Sequence, residues 1–164
     1  MTLRTCGLVL ALFWFWVSCA SATTLRMLTP EAREKSIVRE MKNLESNPFR
    51  GWLQILNYPL YASLHHQLVG VRYIIYNPWG AINYVFGSYA PAAHRVANCE
   101  GGRDRVTGLP SVRAHNGQYQ GMFQMGSSER RTYGHGPRAI DQARAAYRYF
   151  VASGRDWSPW SCKP

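Results

Sequence analysis

Apolar residues recur at helical spacing in three stretches of the chain, and each stretch carries signals that bound it. In the first, Ile37, Val38, Met41 and Leu44 form a modest apolar face behind Thr29 as N-cap, Pro30 at the first helical position and Glu31 in the first turn. Asn47 and Pro48 end it, which predicts a docking or surface helix over residues 29–44. In the second, Pro91 opens a helix whose positions Ala92, Ala93, Val96, Ala97 and Cys99 lead to Glu100, and Gly101 and Gly102 stop it. The third covers residues 140–151, with Ala143, Tyr147, Phe150 and Val151 on its apolar side and Gly154 after it. Residues 132–136 and Pro137 read as a connection into it.

Residues 49–86 are rich in Tyr, Trp and branched side chains, and their pattern fits two structures. The runs 71–76 and 81–86, around Asn77, Pro78, Trp79 and Gly80, suit a hairpin with a four-residue loop or a pair of short buried helices. Both readings stay open. His65 and His66 have no second ligand cluster near them in sequence, so no metal site and no cofactor is expected.

At the start of the chain Arg4, the apolar run 7–17 and the small residues Ala20, Ser21 and Ala22 read as a secretory leader over residues 1–22. An uncleaved anchor fits less well, because the run falls short of the roughly 20 residues a bilayer span needs. Lipidation at Cys19 ranks second, since Trp16 replaces the leucine expected before such a cysteine. The expected organisation is a leader (1–22), an aromatic-rich extension (23–88) and a small domain (89–164). The expected location is secreted, periplasmic or at the cell wall, with no stable membrane insertion after leader removal.

Export changes how the cysteines are counted. Cys6 and Cys19 leave with the leader, and Cys99 and Cys162 remain as one pair in an oxidising compartment. A disulfide between them would contribute roughly 3 to 4 kcal/mol by loop entropy. It would pin the tail that carries Trp157, Pro159 and Trp160 onto the end of the Glu100 helix.

The formal net charge is +10 in 164 residues, almost wholly from arginine spread along the chain. Such a chain is drawn to polyanions. No zinc-finger spacing, basic zipper or aromatic RNA-binding signature accompanies the charge, so an acidic cell wall is the expected partner and nucleic acid is not.

The chemistry concentrates between Asn98 and Ser127. Glu100 follows Cys99 at the carbonyl end of a helix, where the dipole disfavours a negative charge and so suits a proton donor. Across a glycine-bearing loop comes the run 116–125, in which Tyr119, Gly121 and Gln124 are the candidate substrate contacts. Tyr119 can stack on a sugar face and Gln124 can bond polar groups; each can equally serve the core. A second carboxylate is less evident. Asp104 has the better claim and Glu129 is its rival, while Asp141 and Asp156 read as helix-start and turn residues.

Cys99-Glu100-Gly101-Gly102, then Gly121-Met122-Phe123-Gln124-Met125, then an alanine-rich helix followed by Gly154, Trp157, Trp160 and Cys162, resembles the lysozyme-like domain of resuscitation-promoting factors and transglycosylase-like secreted proteins. The resemblance covers about Tyr89 to Pro164, and GMFQM is similar to the GLFQI-like run of the wider superfamily. It implies a compact, mainly α-helical, lysozyme-like fold, with Glu100 as catalytic glutamate and Tyr119 and Gln124 in the substrate groove. The implied substrate is the β-1,4 bond between N-acetylmuramic acid and N-acetylglucosamine in peptidoglycan glycan strands, with other wall hydrolases as potential partners. Two departures stand out. The loop 103–115 bears arginines and Pro110 where the family carries Gly, Ser or Asn, and residues 23–88 have no counterpart. Two other classes compete with a lytic transglycosylase or muramidase: a non-catalytic wall-binding module and a cationic membrane-active protein.

Overall fold

The structure, a computed structural model, describes residues 28–46 and 50–164, with side chains placed for 28–46 and 58–164. The expected leader, Cys6, Cys19, Asn47 and Pro48 lie outside the described residues. The chain divides into two compact units, Met1–Leu64 and His65–Pro164.

In the first unit α1 spans Pro30–Glu45, and its start follows the sequence signals. Thr29 Oγ1 accepts from the Ala32 N–H at 3.3 Å, and Ile37 and Met41 are buried on the expected apolar face. α2 spans Arg50–Tyr76, with Pro59 inside it, and its C-terminal part belongs to the second unit.

The second unit is mainly helical. After α2 come α3 (Pro78–Phe86), a 3-10 turn (Gly87–Tyr89), α4 (Ala90–Glu100), α5 (Ser127–Tyr133) and α6 (Ala139–Ala152). Of the two readings left open for residues 71–86, helix is the one formed, but not as two short buried helices: residues 71–76 are the end of the 27-residue α2, where Tyr73 and Tyr76 are exposed, and only α3 is short. Asn77 and Pro78 decide this: the Asn77 side chain accepts from Trp79 N–H at 2.9 Å and Gly80 N–H at 3.2 Å, and Pro78 supplies a preset φ for the first helical turn. A β-prone run therefore becomes a helix because its entry is capped and its face is buried. Ala81, Ile82 and Phe86 are at most 2% exposed.

Phe86 is the centre of the aromatic core. Its ring lies 5.6 Å from Phe123, 5.3 Å from Tyr147 and 5.8 Å from Trp157, and Phe150 sits 4.5 Å from Trp157. Rings at these separations add to the area burial. α3 and α6 pack closely around this cluster, and α4 packs on α3.

Thr132 and Tyr133, expected in a connection, are instead the last residues of α5, which Gly134 closes in the left-handed region at φ 75°. The connection into α6 runs from Gly134 to Arg138. The described residues also contain a two-stranded hairpin, β1 (His115–Asn116) and β2 (Tyr119–Gln120), paired antiparallel. Its turn places Gly117 at φ 59°, a conformation open to glycine at little cost.

Candidate functional site

Along Gly121–Met125 every residue but Gln124 is buried. Met122, Phe123 and Met125 are at most 2% exposed, whereas Gln124 between them is half-buried and faces a groove. Turning one side chain out of a buried run needs a sharp backbone, and Gln124 takes φ 41°, held there by its own Nε2 donating to the Gly121 carbonyl at 2.9 Å. The Trp160 Nε1–H donates to the Phe123 carbonyl at 3.0 Å, so the tail supports the same run from behind.

α4 delivers Glu100 to this groove. Gly101 follows because α4 ends against the backbone of Met122: a Cβ at Gly101 would stand 2.5 Å from the Met122 carbonyl oxygen. Only a residue without a side chain lets the helix end approach so closely. Cys99 and Cys162 form the disulfide, with Cα atoms 6.0 Å apart. One residue along, Glu100 Oε1 accepts from the Cys162 N–H at 2.8 Å, so the tail is tied to the helix end by a covalent bond and by the carboxylate itself. Lys163 reinforces the tail, its Nζ donating to the carbonyls of Trp157, Ser158 and Trp160.

The groove has a volume of about 520 Å³. Glu100, Tyr119 and Gln124 line it together, with Cys99, His115, Asn116, Pro159 and Trp160. Among the described residues Glu100 is the only acidic side chain lining it. At one end the groove adjoins a second depression that shares Tyr119, Gln124, Pro159 and Trp160 and contains Glu129 and Tyr149. Burial, and then the Glu129 charge, push the Tyr149 phenol above its ordinary range.

Asp104 lies elsewhere. It lines a separate cleft with Arg72, Tyr76 and Pro110, and its Oδ1 accepts from the Val106 N–H, the Thr107 N–H and the Thr107 hydroxyl. The backbone bond from Thr107, then that from Val106, hold its carboxyl below the usual aspartate range. This carboxylate organises its own loop. Gly121 lines a third pocket, where a Cβ would stand 2.5 Å from Gln142 Oε1 and 2.7 Å from His135 Nε2.

No family model matches the chain, and no curated protein or solved structure shows significant similarity to it.

Two residues that hold the site escape sequence reasoning. Gln142, 2% exposed on α6, accepts at Oε1 from the Met122 N–H and donates from Nε2 to the Val112 carbonyl, both at 2.9 Å. It stands between Ile140 and Ala143 on an apolar face, and a buried amide in such a place was its one available signal. Arg130 on α5 donates to the Gln118 carbonyl at 2.6 Å and the Met125 carbonyl at 2.7 Å, bracketing the hairpin turn and the end of the GMFQM run. No helix of the described residues is long and apolar enough to cross a membrane, and no group of three or more His, Cys, Asp or Glu among them could hold a metal ion.

Proposed function

We propose that the protein is a secreted peptidoglycan-cleaving glycosidase of lysozyme-like type, with Glu100 as its general acid and base. The observation that carries this reading is the Glu100 carboxyl, which lines a groove beside Tyr119 and Gln124 while its Oε1 is fixed by the Cys162 N–H. A proton donor must be held in one orientation toward the leaving oxygen, and a carboxyl anchored at one oxygen presents the other. Tyr119, 45% exposed, offers a ring for a sugar face, and Gln124 offers an amide oxygen for hydroxyl or N-acetyl groups.

The groove's single acid favours the lytic transglycosylase form of the reaction over hydrolysis. Glu100 gives its proton to the glycosidic oxygen, and the bond from that oxygen to C1 of the muramic sugar breaks. Glu100, now a carboxylate, takes the proton of the same sugar's 6-hydroxyl as that oxygen bonds to C1, which yields a 1,6-anhydro end and a free N-acetylglucosamine 4-hydroxyl. No second carboxylate and no external water is consumed. Hydrolysis would instead draw on Glu129 in the adjoining depression, and retention or inversion would then follow from the separation of the two carboxyls.

Incubating the mature protein with purified peptidoglycan and weighing the released muropeptides tests both points. Anhydro products, one water lighter than hydrolytic ones, are expected from wild type, and Glu100→Gln should release none while still sedimenting with the wall. Equal binding with no fragments from wild type would overturn catalysis in favour of a wall-binding module. Leakage from wall-less liposomes that survives Glu100→Gln would point to membrane activity instead.

A further inference from the structure

Beside the Glu100 groove lies a pocket of about 440 Å³ whose lining differs in kind. The two are neighbours, with Ala114 and His115 in the lining of both. The Glu100 groove presents the exposed ring of Tyr119, a flat surface suited to a sugar ring. The neighbouring pocket presents neither tyrosine nor tryptophan; its ionisable lining is Arg113, Arg130, His115 and His135, and among the described residues no acid lines it. Arg130 brings its charge while bonding the Gln118 and Met125 carbonyls. His135 is held toward its neutral form by burial and then by the Arg130 charge, so it serves as a hydrogen-bonding ring rather than a cation. Two acids act on these groups from outside the pocket: Asp141, near His135, is paired through both oxygens with Arg138 at 2.8 Å, and Asp104, which lines a neighbouring cleft with Arg113, accepts from the amides of its own loop.

We infer that this pocket takes a carboxylate of the peptide carried by the muramic sugar, so that the protein selects peptide-substituted glycan over bare strands. The inference rests on the function proposed above and narrows its substrate. A sugar seated over Glu100 carries its lactyl substituent beside the ring, and the pocket lies next to that groove, with Ala114 and His115 shared between them. Guanidinium groups recognise carboxylates through charge-assisted bonds that a hydroxyl does not match.

The test uses the Glu100→Gln chain, which binds without turnover, and three soluble glycan oligomers of equal length: peptide-bearing, peptide-free, and peptide-bearing with its carboxylates converted to amides. Isothermal titration at fixed salt should show the first binding about tenfold more tightly than the other two, the scale of one charge-assisted contact. Adding Arg113→Gln should abolish that tenfold gain and leave the peptide-free affinity unchanged. Equal affinity for all three oligomers, equally tight binding of the amidated one, or a gain that survives Arg113→Gln would overturn the inference while leaving the glycosidase reading intact. Failure of every oligomer to bind would sink both.

Discussion

Asp104 and Glu100 are four residues apart, and their surroundings set them different tasks. Glu100 is fixed by one backbone N–H and opens on a groove, whereas Asp104 Oδ1 receives two backbone N–H groups and a hydroxyl. Those bonds favour the charged form, so the folded carboxyl titrates below the ordinary value of 3.8. The sign of the pH dependence follows. Between the two values the unfolded chain binds more protons, so the turn's contribution is present above the ordinary value and is lost as pH falls through the folded one. Protection of the Val106 and Thr107 amides against hydrogen exchange should therefore decline below about pH 4. Asp104→Asn should flatten that decline and leave muropeptide release unchanged. Sequence distance favoured Asp104 as a partner of Glu100, but distance along a loop says nothing about direction. The Thr107 and Val106 amides that occupy it are assigned only once the loop is traced.

At the scale of elements, the site depends on α4 ending flush against the GMFQM run. Gly101 was legible as a helix stop, yet its larger role is contact with the Met122 backbone. Gly101→Ala adds one methyl group against a carbonyl that belongs to a packed strand of chain and cannot rotate away. A loss of about 1–3 kcal/mol is expected, read as a lowered denaturant midpoint, together with reduced turnover as Glu100 shifts relative to Gln124. The hairpin β1–β2 tells a related story. Asn116-Gly117 is a strong turn signal, but strands of two residues leave no alternation to detect, so the run reads only as glycine-punctuated. Residues 71–86 were ambiguous for the opposite reason. Short apolar runs fit a strand or a buried helix equally, and the Asn77 cap with burial of Ile82 and Phe86 resolves them.

Across the whole molecule, the Cys99–Cys162 bond closes a separation of 63 residues around the groove and both of its adjoining depressions. Loop entropy assigns such a closure about 4 kcal/mol, a large share of the stability of a small domain. Reduction, or Cys99→Ser with Cys162→Ser, should lower the unfolding free energy by about that amount, read as a lowered urea midpoint, and reduce muropeptide release, because the tail that carries the Cys162 N–H is no longer covalently tied to the Glu100 helix.

By itself the sequence determined what is local. Caps at Thr29 and Pro30, the apolar spacing of α4 and α6, and the stops at Gly101 and Gly154 depend on residues within a turn or two of one another, and a pair of cysteines reveals a long-range link by counting alone. Only the tertiary structure decided which polar groups meet across the chain. Gln142 bonds Met122 and Val112, Arg130 bonds Gln118, and Glu100 shares a groove with Tyr119 rather than with Asp104. Such pairings depend on where buried backbone groups are left without a partner once the aromatic core has packed, and that is a property of the assembled fold rather than of any segment in it.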